Sequence, residues 1–233
     1  GISSGPFDSL NLGIDTRDDE KNIEENLKRF CKSLCVDRER LCLAHQEHSD
    51  NILAIKGNEN IGWKNLFSNV DGFITNISKI PLMVKFADCQ GVFMFDPVHD
   101  VISAVHCGWR GNVKNIIGKA VKKMAQEYSC NPSDILVGIS PSLGPCCAEF
   151  SYPFEELPEF MHKYVEKKGT KTGDRFFVDL WQCSFDQLAE SGILPDNIEL
   201  AGICTVCEND KFFSYRGGKK VTGHMGGLIE ILV

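Results

Sequence analysis

Val92-Phe93-Met94-Phe95, Asp96-Pro97-Val98-His99-Asp100 and Val101-Ile102-Ser103-Ala104-Val105 decide the fold of this 233-residue chain. Two runs rich in apolar residues flank a polar, proline-bearing segment, the pattern of an antiparallel β-hairpin. Closing Phe95 onto Asp100 brings Ala87-Asp88-Cys89 beside His106-Cys107-Gly108-Trp109-Arg110-Gly111, with Cys89 directly opposite His106. Side chains opposed on one face of such a ladder lie close enough to share a metal ion or a proton. A one-residue slip pairs Cys89 with Cys107 instead, so both registers stay open. A thiol beside an imidazole is the raw material of a cysteine nucleophile or of a zinc site.

Working outward, Asn51–Lys56, Asp71–Thr75 and Leu82–Ala87 read as strands upstream of the hairpin. Earlier still, Thr16 and Asp19 form a capping box for a helix carrying Ile23, Leu27, Phe30 and Leu34 at helical spacing. Downstream, Val113, Ile116, Ile117, Ala120, Val121 and Met124 predict an amphipathic helix with Asn112 as its N-cap. Ile135–Ser140 predicts a strand leading into the loop Pro141–Cys147. A helix through Phe154, Leu157, Phe160, Met161, Tyr164 and Val165, a polar loop over Lys167–Asp174 and a helix over Asp179–Ser191 follow. Glu199–Cys204, Phe212–Tyr215 and Leu228–Leu232 read as closing strands. Hairpins and helices mix without a βαβ rhythm, which predicts an α+β fold with layered sheets, a single domain over residues 1–233.

Hydrophobic content of 42% and charged content of 24% are those of an ordinary globular protein. A formal charge of −7 with no basic stripe weighs against nucleic acid as a partner. No apolar run has the length of a membrane span, and no leader peptide is read at the start. Eleven cysteines, an odd number, many of them inside apolar segments, point to a reducing cytoplasm rather than a disulfide scaffold.

Gly108–Gly111 offers backbone N–H groups and the Arg110 guanidinium beside a helix start, a suitable place for phosphate. The competing reading, in which Arg110 pairs with a surface carboxylate and Trp109 simply packs, is the one composition favours. His45-Gln46-Glu47-His48 borders strands, where residues three apart point to opposite faces, so one of the two imidazoles enters any given site. Asp88 and Glu47 point away from their neighbouring candidate ligands by the same alternation. Cys204-Thr205-Val206-Cys207 has no second pair after it to complete a zinc knuckle, and it does not open a helix as a thioredoxin-like pair does. It reads as structural, as does Cys146-Cys147.

Taken in order, Ser4–Gly13, Gln46-Glu47-His48, Ala87-Asp88-Cys89, His106–Gly111, Pro141–Cys147, Asp179–Leu188, Cys204, Ser214-Tyr215-Arg216 and Thr222-Gly223 span almost the whole chain. On these motifs the sequence resembles the multicopper polyphenol oxidoreductase, or laccase-like, family associated with purine nucleoside phosphorolysis. The resemblance implies zinc held by His48, Cys89 and His106, with an open fourth position typical of catalytic zinc. It implies a four-layer α/β/β/α fold similar to toxins with a catalytic Cys–His pair. It further implies phosphorolysis of adenosine, inosine and methylthioadenosine together with adenosine deamination, on a small purine nucleoside with phosphate as co-substrate. Arg110, Asn11 and Gln46 are the expected substrate and phosphate contacts. Some bacterial members resemble editors of a peptidoglycan precursor, which keeps a metal-free alternative open: Cys89 as nucleophile and His106 as base.

The sequence departs from the family pattern at Gly91, Cys107, Ala148 and His224, and the last two put substrate contacts in question. A multicopper oxidase needs many imidazoles in H-x-H and H-C-H pairs, and this chain has six histidines and no H-x-H. Laccase-like activity is therefore expected only from copper taken up in place of zinc at the Cys/His set. A non-enzymatic binding protein is the third class, and the oligomeric state is left open.

Overall fold

The computed structural model describes residues 1–170, 173–218 and 220–232. In chain order its elements are α1 (Glu20–Leu34), β1 (Ala44–His45), β2 (Ile52–Ala54), β3 (Phe67–Ser68), β4 (Gly72–Thr75), β5 (Leu82–Phe86), β6 (Gln90–Asp96) and β7 (Val101–Cys107). There follow α2 (Trp109–Lys114), α3 (Ile116–Tyr128), β8 (Leu136–Ile139), β9 (Glu149–Phe150), α4 (Pro153–Glu156), β10 (Val165–Thr170), β11 (Gly173–Val178), α5 (Leu180–Glu190), β12 (Ile198–Leu200) and β13 (Met225–Ile229).

The hairpin β6–β7 lies in the middle of a six-stranded mixed sheet of order β12-β8-β6-β7-β4-β2. Strand alternation gives this sheet two apolar faces. Val92, Met94, Val101, Val105 and Cys107 pack on one side against Ile116, Ile117, Ala120, Val121 and Met124 of α3 and Leu188 of α5. Each large aliphatic side chain buried this way contributes about 2 kcal/mol. On the other side Phe73, Ile102, Ala104, Phe93 and Phe95 meet Leu82, Val84 and Phe86 of β5, which pairs antiparallel with β13. Met83, on the opposite face of β5, packs with Leu27 and Cys31 of α1. Helices, sheet, smaller sheet and helix therefore stack in four layers, the α+β arrangement the motifs implied. No helix among the described residues is long and apolar enough to cross a membrane.

The register differs from both readings of the sequence. Asp96 pairs with Val101 and Gly91 with His106, which moves the ladder two residues from the expected pairing. Asp96 fixes the turn: its Oδ1 accepts the Val98 and His99 amides at 2.7 and 3.2 Å, and Asp100 takes a left-handed conformation (φ 51°). A shift of two preserves the face, so Cys89 and His106 remain on the inter-sheet side as diagonal rather than direct neighbours.

Other boundaries move for local reasons. Asp19, not Thr16, caps α1 by accepting the Lys21 amide, and Leu34 at its far end is exposed. Asn112 is not an N-cap. The helix starts at Trp109, and Asn112 lies buried within it, donating to Ser184 Oγ of α5 at 2.8 Å. Asn115, in a left-handed conformation, breaks the run and caps α3 through the Gly118 amide. Pro158 splits the predicted Phe154–Val165 helix into α4 and a 3₁₀ turn, Glu159–Tyr164. Lys167–Asp174 is part of the β10–β11 hairpin, solvated on both faces and bridged by Lys167–Asp174 at 2.7 Å; its positions 171–172 lie outside the described residues. Phe212–Tyr215 is a turn rather than a strand, with Ser214 Oγ accepting the Gly217 amide.

Candidate functional site

Two strand ends and one loop carry the chemistry. Cys89 stands just before β6, after Asp88 in a left-handed conformation (φ 83°), and His106 occupies the penultimate position of β7. His48 follows β1 and is itself left-handed (φ 57°), a conformation sparsely populated for a residue with a Cβ. One ligand atom from each of His48, Cys89 and His106 lies within 4.8 Å of the others. The His48 Nε2 to Cys89 Sγ distance is 3.6 Å, and the two imidazoles meet edge to face at 4.9 Å. Gly108 makes this approach possible: a Cβ there would stand 2.7 Å from Cys89 Sγ and 2.9 Å from His48 Cδ2. His45, the other half of the H-x-x-H, turns away to Asp15 at 2.6 Å.

Asp71, at the threshold of β4, organises the cluster and was not singled out by sequence reasoning. Its carboxylate is fully buried and accepts His106 Nδ1 at 2.8 Å, the Ser49 amide and hydroxyl at 2.7 Å each, and the His48 amide at 3.1 Å. Its carbonyl takes the His106 amide at 2.7 Å. One side chain thus fixes the His106 ring through Nδ1, leaving Nε2 to face Cys89, and holds the backbone of His48. Burial works against the Asp71 charge, but the hydrogen bonds from His106 and Ser49 bring its pKa down to about 2. Burial likewise opposes ionisation of Cys89. The adjacent His106 charge and hydrogen bonds from both histidines outweigh it and lower the thiol to about 6. His106 rises to about 9 against its own burial, through Cys89 and Asp71. Two imidazole nitrogens and an ionisable thiol, braced by a carboxylate, form a donor set suited to one zinc-like cation.

The cluster opens into a cavity of about 830 Å³. Gln46, Arg110 and His224 line it together with Lys85, Tyr215 and Arg216. Gln46 spends both ends of its amide on the Lys85 backbone, at 2.7 and 2.8 Å, and so positions Lys85. Lys85 is buried, its Nζ 3.3 Å from Asp15, and burial lowers its pKa to about 8. Arg110 is exposed, stacks on Trp109 at 4.2 Å and makes no ion pair among the described residues, contrary to the surface-pairing reading. Asn11 does not line the cavity. It is fully buried, and its side-chain oxygen accepts the amides of Gly13 and His224, both at 2.9 Å, which holds the cavity-lining His224 in place. Burial and the nearby Lys85 charge lower His224 to about 4. Ala148, the other departure near the loops, is fully buried. Asp88 lies at the cavity wall, but its oxygens are taken by Thr205 Oγ1 and the Arg216 amide, both at 2.6 Å. A second cavity, of about 610 Å³, contains none of the Cys/His cluster.

Residues 1–232 match the family described as multi-copper polyphenol oxidoreductase laccase. The chain belongs to this family. Purine nucleoside phosphorylase YlmD of Geobacillus stearothermophilus is 31% identical to it over 235 residues, spanning 97% of this chain and 84% of the relative. Purine nucleoside phosphorylase YfiH of Escherichia coli is 28% identical and spans 100% of this chain and 90% of the relative. The crystal structure of YfiH from Bacillus licheniformis superposes with a TM-score of 0.91 at 28% identity, covering 99% of this chain and 89% of that one. The family description invokes several coppers. Among the described residues of this member, only His48 and His106 share a metal-competent cluster, while His99 sits apart with Asp96 and Cys130. That donor set does not fit a multinuclear copper centre, which needs many imidazoles.

Proposed function

We propose that this chain is a zinc-dependent purine nucleoside phosphorylase acting on adenosine, inosine and methylthioadenosine, with adenosine deamination at the same centre. The observation that carries the reading is the convergence of His48, Cys89 and His106 at the wall of a nucleoside-sized cavity that also presents Arg110. The names of the relatives favour the same class. Zinc bound by the three residues would supply Lewis acidity toward the purine ring, easing departure of the base and, in deamination, replacement of the C6 amine by water with loss of ammonia.

The rest of the chemistry falls to the chain's own groups. Arg110, without an ion pair among the described residues and anchored on Trp109, binds phosphate and directs one oxygen at C1′ of the ribose. The C1′–N9 bond breaks as the C1′–O bond forms and the departing purine takes up a proton, giving free base with ribose 1-phosphate from adenosine or inosine and with methylthioribose 1-phosphate from methylthioadenosine. Lys85, whose pKa of about 8 lets it give or take a proton near neutrality, lies on the same wall. Asp71 holds the His106 ring through Nδ1 throughout. The odd count of eleven cysteines, many of them buried in apolar segments, supports a reducing cytoplasm as the compartment.

The alignment of Cys89, His106 and Asp71 favours a second reading, a thiol hydrolase with Cys89 as nucleophile. One experiment separates the two. The protein is incubated with adenosine, inosine or methylthioadenosine, with and without phosphate, before and after chelation and thiol alkylation. Phosphate-dependent release of base that is lost on chelation and restored by zinc supports the phosphorylase. No phosphate-dependent release from any of the three nucleosides overturns it.

A further inference from the structure

We propose that Cys146, Cys147, Cys204 and Cys207 form a second metal centre, a closed tetrathiolate site for zinc that clips together two loops at the cavity rim. It stands apart from the His48–Cys89–His106 cluster and does not depend on the proposed activity. The four sulfurs lie within 4.8 Å of one another, with Cys207 at 3.5 Å from Cys146 and 3.6 Å from Cys147. Four sulfurs placed about 2.3 Å from a central ion stand about 3.8 Å apart. A disulfide requires about 2.05 Å and can join Cys207 to only one of its neighbours.

Core packing does not account for the group. Cys31, Cys42 and Cys183 are buried small hydrophobes, whereas Cys146 and Cys207 are exposed and Cys147 is half-buried. Only Cys204 is enclosed, and its Sγ accepts the Gly144 amide at 3.4 Å, an arrangement that favours a thiolate. The backbone sets the two pairs side by side: Ser142 donates its amide to Ile203 at 3.1 Å, and Thr205 donates to Ser142 at 3.0 Å. The partner pair that Cys204-x-x-Cys207 lacks downstream is the upstream Cys146-Cys147, delivered by this bridge.

On binding, four sulfur–metal bonds form and the thiol protons leave to solvent, with no oxidant required. An all-thiolate set selects a soft or borderline ion and leaves no open position, so the role is bracing rather than catalysis. What it braces is the cavity. Thr205 and the Arg216 amide hold Asp88, next to Cys89, and Arg216 Nη1 reaches the Glu149 carbonyl at 2.9 Å.

The test is zinc content, by inductively coupled plasma mass spectrometry, of reduced, zinc-saturated wild type, Cys207→Ala and His106→Ala, followed by replacement of zinc with cobalt. The expected result is loss of one zinc equivalent per chain in Cys207→Ala, together with loss of the intense sulfur-to-cobalt charge-transfer absorption of a four-thiolate site. His106→Ala keeps that absorption. Equal zinc content and equal cobalt spectra in wild type and Cys207→Ala overturn the proposal. So does a disulfide among these four cysteines in protein prepared anaerobically with zinc. Should Cys207→Ala not fold, the cobalt spectrum of His106→Ala decides: a tetrathiolate spectrum supports the site and its absence refutes it.

Discussion

Replacing Asp71 by asparagine tests the reasoning about the Cys/His cluster most directly. The carboxylate accepts His106 Nδ1, the Ser49 amide and hydroxyl and the His48 amide, all within 3.1 Å and all out of water. An asparagine of the same shape offers one accepting oxygen and turns two N–H donors toward donors already in place. The descent of the Asp71 carboxyl from 3.8 to about 2 corresponds to about 2 kcal/mol in favour of the ionised form. Adding the unpaired buried donors left behind raises the expected destabilisation to about 3–5 kcal/mol. Because the carboxyl titrates lower in the fold than in the unfolded chain, its contribution is complete above pH 3.8 and disappears as pH falls toward 2. Urea unfolding at pH 7 and at decreasing pH therefore finds wild type losing an acid-sensitive increment that Asp71→Asn lacks. With His106 no longer held, zinc affinity measured against a competing chelator falls about 10–100-fold. Wild-type zinc affinity in a folded Asp71→Asn protein would refute the argument that this carboxylate orients His106.

Other expectations follow from the same geometry. Lys85 is held at about 8 from an ordinary 10.5, so its charged form costs stability below pH 8, and that cost is relieved as pH rises toward 10.5. Lys85→Met is accordingly expected to unfold later than wild type at pH 7, by up to about 3 kcal/mol, and to turn over nucleoside more slowly; equal or lower stability in thermal melts counts against a strained lysine. Gly108→Ala drives a methyl group onto Cys89 Sγ and His48, so metal content measured by mass spectrometry is expected to fall at least tenfold while circular dichroism stays unchanged. Arg110→Met, on an exposed side chain, is expected to raise KM for phosphate by about tenfold or more and leave zinc content alone, checked by steady-state kinetics at saturating nucleoside.

The hairpin strands were legible because Val92–Phe95 and Val101–Val105 carry long apolar side chains on both faces, as a central strand must. Their register was not. Closing on Phe95–Asp100 or on Asp96–Val101 leaves a four-residue loop either way, and only the turn bonds of Asp96 choose between them. His48, Cys89 and His106 stood out as motif residues, and the fold brings them together. Asp71 escaped notice because it reads only as the polar opening residue of the strand Asp71–Thr75, while its partners lie more than twenty positions away in either direction. Asn112 and Asn115 both suit a cap by composition. The choice fell to Asn115 because α5 presents Ser184 and Gln187 to Asn112 from far along the chain. The outer half of the β10–β11 hairpin was missed because Lys167–Gly169 and Gly173–Arg175 are exposed, which removes the alternation that marks a strand, and only its inner end at Phe177 and Val178 is buried.

Asn11 holds the backbone of His224, and Leu12 bonds the His224 carbonyl, so residues more than two hundred positions apart meet at the cavity wall. During synthesis on the ribosome, Cys89 and His106 emerge long before the segment that closes over them. The nascent chain can build its hairpin early, yet the enclosed chamber exists only once both distant segments have met. Turnover should therefore switch on late and all at once, and a chain stalled before His224 should display a reactive thiol without the walls that discipline it.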